Sequence, residues 1–543
     1  MRTKILTIVA LLFSLAIPFS ARAQTAENKF SFSQNSTWQL AADSSIAVST
    51  DLEVTNLTDN YYATAFSFWL PADQISNVAA TYDDGTAVEV KLNNDKKQVN
   101  GLSYNYKRVD LSFGKQIAGN GSGFTIRLNY QMAGALKQKG QTYELVLPNF
   151  SEGSNISESI TVKSPKTFGA AHFLTDDPSK SRSDSGFNYF TFSDQNLSRR
   201  QQIIDFGETM SRRLDFNYPL ENRDILPSFF KLYLPMDSGH QSVFVKSVDP
   251  KPYYMAKSGD SNFMYFFVMP GQTVNVKADV EILTTGEKLV ADQGGKIADI
   301  PSELSSYTSG AKYWETTDPT IRAKASDLIK PTDSVYTNAK RVYDFVVSTL
   351  AYDQAKINDN VRVGAAGVLK NPSYVVCQEY ADLFVTLLRA GGIPAREYYG
   401  LTDSDELKTS ETNILHAWAD VYIPKYGWLI ADPTWGEAGI QFGKMAFDHL
   451  AIDFDTGEDF SRPVAMRNHQ AYDYGALYVD SIKLTDTAIV ASGQSLQSAD
   501  AGKVNLYDNN RIYLLWAFGG LLALIIVLTI ISKIRRRRLD DSS

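Results

Sequence analysis

The sequence predicts an α+β protein: one or two β-sandwich domains, then a mixed domain of helices and strands, then a single C-terminal membrane-spanning helix. Three observations carry this reading. Period-two alternation of apolar and polar residues dominates from about residue 30 to residue 286. Helical periodicity begins near Ala311. An uncharged apolar run, Ile512 to Ser532, is followed at once by Lys533 and Arg535 to Arg538.

Residues 1–23 read as a signal peptide. Arg2 and Lys4 give a positive start, Ile5 to Phe19 an apolar run, and Ala21-Arg22-Ala23 a small-x-small cleavage site. The β-rich part is divided into residues 24–150 and 151–300, with a seam near Pro148 to Asn155. Its strands include Ser45 to Val54, Phe124 to Tyr130 and Val274 to Ile282, punctuated by turns at Asp83-Asp84-Gly85 and Gly119 to Gly123. This part carries no recognisable chemistry, so binding, spacing or presentation is its expected work. The net charge of −8 has mixed signs and no basic stripe outside the tail, which argues against nucleic acid.

Residues 305–440 form the expected catalytic domain. Asp318-Pro319 starts a helix that Pro331 ends, and Val335 to Leu350 places Val335, Ala339, Val342, Phe345 and Val346 on one stripe. Cys377 to Ala390 repeats apolar residues at helical spacing until Gly391-Gly392 stops it. Ala417 to Ile423 and Trp428 to Asp432 read as two strands joined at Pro424 to Gly427. Such a hairpin can put His416 and Asp432 on one face. Residues 441–490 are expected as a β-containing extension and 491–511 as a linker. Residues 512–532 form the span and 533–543 a basic cytoplasmic tail, which leaves the bulk extracytoplasmic by the positive-inside rule. No Leu-Pro-x-Thr-Gly precedes the span, so anchoring in the cell membrane is expected. Gly519 and Ala523 make a small-xxx-small pair of low specificity.

The chain has one cysteine, Cys377, so an intrachain disulfide is impossible. Cysteine, histidine and aspartate follow in the order Cys377, His416, Asp432, the parts of an activated-thiol catalyst. A helix N-terminus favours the thiolate, an imidazole exchanges protons with it, and a carboxylate orients the imidazole. Trp418, Trp428 and Trp435 are candidates for lining a substrate groove or for packing the core. His172, His240, His449 and His469 have no comparable setting and read as structural or surface residues. The acidic run Asp453 to Asp459 departs from the EF-hand pattern and reads as a solvated loop. No metal or cofactor is called for.

Four blocks in this order resemble the transglutaminase-like superfamily, with its papain-like core: Val376 to Ala381, Gly392 to Arg396, His416 to Val421 and Gly427 to Trp435. The resemblance covers roughly residues 305–440, with Val342 to Val346 and Leu350 to Asp353 similar to the family's leading segments. It implies Cys377 as nucleophile, His416 as base and acid, and Asp432 as orienting carboxylate. Val376 stands where the family usually has Gly. The expected function is cleavage or transfer at amide bonds of a protein or peptide substrate through a thioester, hydrolysis being favoured. The alternative is an adhesion or assembly protein that uses the same fold as scaffold.

Overall fold

The computed structural model describes residues 29–459, except 71–73, 100–101, 148–155, 194–196, 198–201, 287–294, 360, 403–415, 438–439 and 445–446, together with strands at 465–467, 470–471, 478–484 and 494–495. The expected signal peptide, span and tail lie outside these residues. Among the described residues no helix is long and apolar enough to cross a membrane.

The first β-sandwich runs from residue 30 to residue 206. Strand Phe30–Leu40 pairs antiparallel with Ser45–Asn56 and parallel with Ile156–Pro165, so that Trp38 faces both Val48 and Val162. Alternate residues point inward from this ten-stranded sheet, among them Trp38, Leu40, Val48, Leu52, Ile126 and Leu128. A four-stranded sheet closes the core with Leu145, Leu147, Ile204 and Phe206. The seam expected between residues 150 and 151 is therefore not a domain boundary. The later strand inserts beside the first one, and both halves share one core.

The second sandwich begins at Thr209 and takes in strands up to Thr285. Strands from the far end of the chain complete it. Tyr478–Leu484 pairs with Thr209–Glu221, and Ala465–Arg467 pairs with Ser228–Leu234. Residues 494–495, expected as linker, pair with Phe244 and Val245. The expected extension 441–490 is thus divided between two domains, because its strands meet hydrogen-bonding edges in both.

Between these visits the chain builds the mixed domain. Its helices are α1 (Pro319–Leu328), α2 (Val335–Thr349), α3 (Gly364–Lys370), α4 (Cys377–Ala390) and α5 (Pro433–Glu437). Asp318 caps α1, accepting from the N–H groups of Thr320 and Ile321. On α2 the buried stripe includes Tyr343, while Phe345 is only partly buried. Gly392, at φ +77°, takes the left-handed conformation just after α4.

The domain's strands are β1 (Ala395–Thr402), β2 (His416–Ile423), β3 (Gly427–Ala431) and β4 (His449–Asp455), in the order β3-β2-β1-β4 and all antiparallel. Leu383, Phe384, Leu387 and Leu388 of α4 share a core with Ala419, Val421, Leu429 and Ala431 of the sheet. Tyr399, Leu401, Leu450 and Ile452 pack instead into the core of the second sandwich. Helix α4 is buried along nearly its whole length, so its polar residues need partners. Asp382 receives Arg362 and the Trp314 indole N–H. Arg362 also reaches Asp455 and Glu397.

That network corrects the reading of the acidic run at 453–459. Asp453 and Asp455 are buried, and Asp459 binds Lys312 and Tyr313. Arg362 folds onto the first half of the run and buries it, while Thr456, Glu458 and Asp459 stay exposed.

Candidate active site

Cys377 is the first residue of α4. Just before it, Val375 makes an isolated parallel bridge to Tyr352, and the Val376 N–H donates to Glu379 Oε2 at 3.0 Å. Glu379 is in turn paired with Lys356, both only 1% exposed. This buried pair fixes the entry to the helix. Cys377 packs against Ala381 and Ala417 and the residue keeps 9% exposure, small neighbours leaving it room. The positive end of the helix favours a thiolate there.

The hairpin does what its alternation predicts. Ala419 lies opposite Ala431, so one step further Asp432 falls across from Trp418, with His416 two residues along on the same face. His416 Nε2 is 2.7 Å from Asp432 Oδ2. The Cys377 thiol hydrogen-bonds the same ring. With Nε2 committed to Asp432, Nδ1 is the nitrogen that serves the sulfur. The structure thus brings Cys377, His416 and Asp432 into one hydrogen-bonded chain.

Asp432 is held at both carboxylate oxygens and at its backbone carbonyl. Its Oδ1 accepts from the N–H groups of Thr434 (2.8 Å) and Trp435 (3.3 Å), the capping pattern at the start of α5. The Tyr343 hydroxyl lies 3.0 Å from its backbone carbonyl. Its Oδ2 has a second partner besides His416: His449 Nε2, at 3.1 Å. The other ring nitrogen of His449 is 3.0 Å from Asp448 Oδ1.

Burial opposes the charged form of His416, but the Asp432 charge and hydrogen bond, helped by the Cys377 sulfur, raise its pKa to about 10. Burial likewise disfavours ionised Asp432, yet the two histidines hold it well below the usual carboxylate range. His449 is also shifted upward: desolvation works against its charge, and hydrogen bonds to Asp432 and Asp448 outweigh it. The site therefore favours an imidazolium beside the thiol.

Trp418 and Trp435 flank both histidines. Trp418 stacks 5.9 Å from His416 and stands edge-on 4.9 Å from His449, and Trp435 lies 6.0 and 4.5 Å from the same rings. Trp428 does not join them. It pairs with Tyr422 at the far end of the hairpin, where Arg396 lies 3.7 Å above its ring. A cavity at the boundary with the second sandwich reaches Trp418 and His449 from the side of His240 and Gln241.

Of the expectation that His449 is a structural or surface residue, the surface part is corrected: the side chain is buried and shares Asp432 with His416. The signal available in the sequence is local. His449 opens a strand rich in apolar residues just as His416 does. The His172 ring lies tilted 3.7 Å from that of Phe447, and His240 approaches the Trp428 carbonyl; His469 lies outside the described residues. His416, Asp432 and His449 offer ligand atoms within 4.8 Å of one another, a spacing that could hold a metal ion. Hydrogen bonds through Asp432 Oδ2 account for that convergence.

Comparison with known proteins places residues 322–433 within the model of the Transglutaminase-like superfamily. A stretch of 145 residues is 27% identical to the uncharacterized protein YebA of Bacillus subtilis (strain 168), covering 24% of this chain and 20% of that protein. The chain thus spans about a fifth of that relative's length. Among solved structures, a proposed cysteine protease from Cytophaga hutchinsonii is similar at 15% identity and a TM-score of 0.37, over 52% of this chain and 92% of that one. The periplasmic domain of TgpA from Pseudomonas aeruginosa, bound to ethylmercury, is similar at 18% identity and a TM-score of 0.26, over 43% and 94%.

Proposed function

Since residues 322–433 are a transglutaminase-like domain, we propose that this chain is a cysteine-nucleophile enzyme acting on amide carbonyls of a protein or peptide. The observation that carries the proposal is the continuous chain from the Cys377 thiol through the His416 ring to the Asp432 carboxylate.

The thiolate attacks the carbonyl carbon, and the oxyanion that forms sits near the positive end of α4. His416 gives its proton to the leaving amine as the carbon–nitrogen bond breaks, which leaves a thioester on Cys377. Now neutral, His416 accepts a proton from water as its oxygen attacks the thioester, and the sulfur leaves as thiolate. Asp432 fixes the ring's orientation throughout. An amine in place of water gives transfer. Hydrolysis is favoured, because water is abundant and no dedicated amine site stands out among the described residues. Trp435, which is half-buried, serves as a wall for the substrate, whereas Trp418 is fully buried and packs in the core behind His416. The apolar leader at 1–23, the run at 512–532 and the basic tail support an extracytoplasmic enzyme anchored in the cell membrane.

The test is alkylation of Cys377 by iodoacetamide across pH. A catalytic thiolate reacts well below the ordinary thiol pKa of about 8.5, and His416→Ala moves that profile upward. Cys377→Ser abolishes turnover and leaves the fold intact. New amino termini in a protein substrate indicate hydrolysis, and uptake of a fluorescent amine indicates transfer. An ordinary thiol profile, indifferent to His416→Ala, would instead assign the domain a scaffolding role.

A further inference from the structure

His449 lies on β4, beyond the segment that matches the family model, which ends at residue 433. Its side chain is 3% exposed and carries carboxylates on both ring nitrogens. Packing alone gives no reason for this, since an apolar residue would fill the space without desolvating an imidazole. The contact with Asp432 does give a reason. Oδ1 is occupied by the start of α5, so the direction of Oδ2 sets where His416 stands, and His449 is the second group that holds Oδ2. Trp418 and Trp435 close on His449 and Asp448 anchors it from behind.

The segment that ends in Asp448-His449 is gripped by the first sandwich. Gln441 donates to Asp176, Lys444 Nζ lies 2.7 Å from Asp177, and the Phe447 ring is 3.7 Å from that of His172. Gln202 of the same sandwich braces Asp176 at 3.0 Å. Asp448 itself feels Arg212 of the second sandwich. Direct contacts therefore link residues 172–177 to Gln441, Lys444 and Phe447, and His449 to the catalytic carboxylate.

We propose that His449 is a positioning residue: it holds Asp432 in register for His416, and the first β-sandwich seats the segment that carries it. This rests on the reading of Cys377, His416 and Asp432 given above. It assigns the N-terminal domain a part in the chemistry, as a brace for the site from outside the segment that matches the family model.

The experiment uses the full chain and measures Cys377 alkylation by iodoacetamide against pH, with thermal unfolding as control. His449→Ala is expected to slow alkylation at pH 6.5 by about tenfold or more, the scale of a misplaced catalytic group. His449→Gln is expected to recover most of the rate, because its amide N–H can donate to Oδ2 from nearly the same place. Phe447→Ala and Lys444→Ala, which loosen the seat, are expected to give smaller losses in the same direction. Wild-type rates in both His449 variants overturn the proposal. Equal losses in the Ala and Gln variants also overturn it, since the ring's charge rather than its grip would then matter. If His449→Ala fails to fold, the Gln variant and the seat variants carry the test. A wild-type protein without a low-pH reactive thiolate would overturn the reading of the triad instead, a distinguishable result.

Discussion

Asp432→Asn removes one charge while keeping the side chain's shape and most of its capping role. The amide oxygen can still accept from Thr434 and Trp435, and Asn ranks with Asp at helix starts. The other end changes. An NH2 group replaces the oxygen that two imidazoles approach at 2.7 and 3.1 Å, so donor faces donor. His416 has its pKa raised to about 10, against about 6.5 for an ordinary histidine. At about 1.36 kcal/mol per unit, the carboxylate and the sulfur together favour the imidazolium by about 5 kcal/mol net of burial. The Asp432 charge and hydrogen bond are larger causes than the Cys377 contribution. The variant should therefore lower the His416 pKa by about two units or more, with burial now unopposed. Nuclear magnetic resonance titration of histidine-labelled protein reads that value directly, and Cys377 alkylation at neutral pH should fall with it. A His416 ring still charged near its wild-type limit, or an unchanged alkylation profile, would refute the electrostatic account of the site.

Further outcomes follow from the same geometry. The His416–Asp432 pair is a single interaction, seen as a raised histidine and a lowered carboxylate. Its stability is full below about 6.5, the ordinary histidine value, and is lost as pH rises towards about 10. It is also lost as pH falls below the ordinary Asp value of about 3.9. The melting-temperature difference between wild type and Asp432→Asn should peak between those ordinary values, and a flat difference would contradict the linkage. Tyr343→Phe strips the hydroxyl lying 3.0 and 2.8 Å from the carbonyls of Asp432 and Ile440. It should cost about 1–3 kcal/mol in chemical denaturation and slow any turnover. Arg362→Met leaves the buried carboxylates of Asp382, Glu397 and Asp455 without their shared guanidinium. A loss of about 3–5 kcal/mol, or failure to express as folded protein, is expected, and near-wild-type stability would show that those acids are protonated.

Local pattern carries much of the mixed domain. The α1, α2 and α4 periodicities, the Asp318 cap, the Gly391-Gly392 stop and the hairpin register are all determined by residues a few positions apart. Hence Cys377, His416 and Asp432 can be read before any coordinates. Long-range partners are a different matter. The pairing of Phe30–Leu40 with Ile156–Pro165 hides the true end of the first sandwich. The acidic run looks solvated until Arg362, 93 residues away, is folded against Asp455. Trp428 has the right parity to share a face with Asp432, but four residues at about 3.3 Å each separate them along the strand, and Arg396 has claimed its ring. His449 acquires meaning only when β4 comes home beside β1.

Cloning limits follow from the placement of β4. A gene fragment trimmed to the matched segment would stop at residue 433 and strip β1 of its neighbour, baring a row of amides that invites other copies to stack. Extending the piece past Asp455 restores the fourth strand, yet Leu450 and Ile452 then present greasy surface that the second sandwich normally covers. Recombinant work on this protein is best begun with everything from residue 29 through the strand at 494–495, and pared inward only after solubility has been measured.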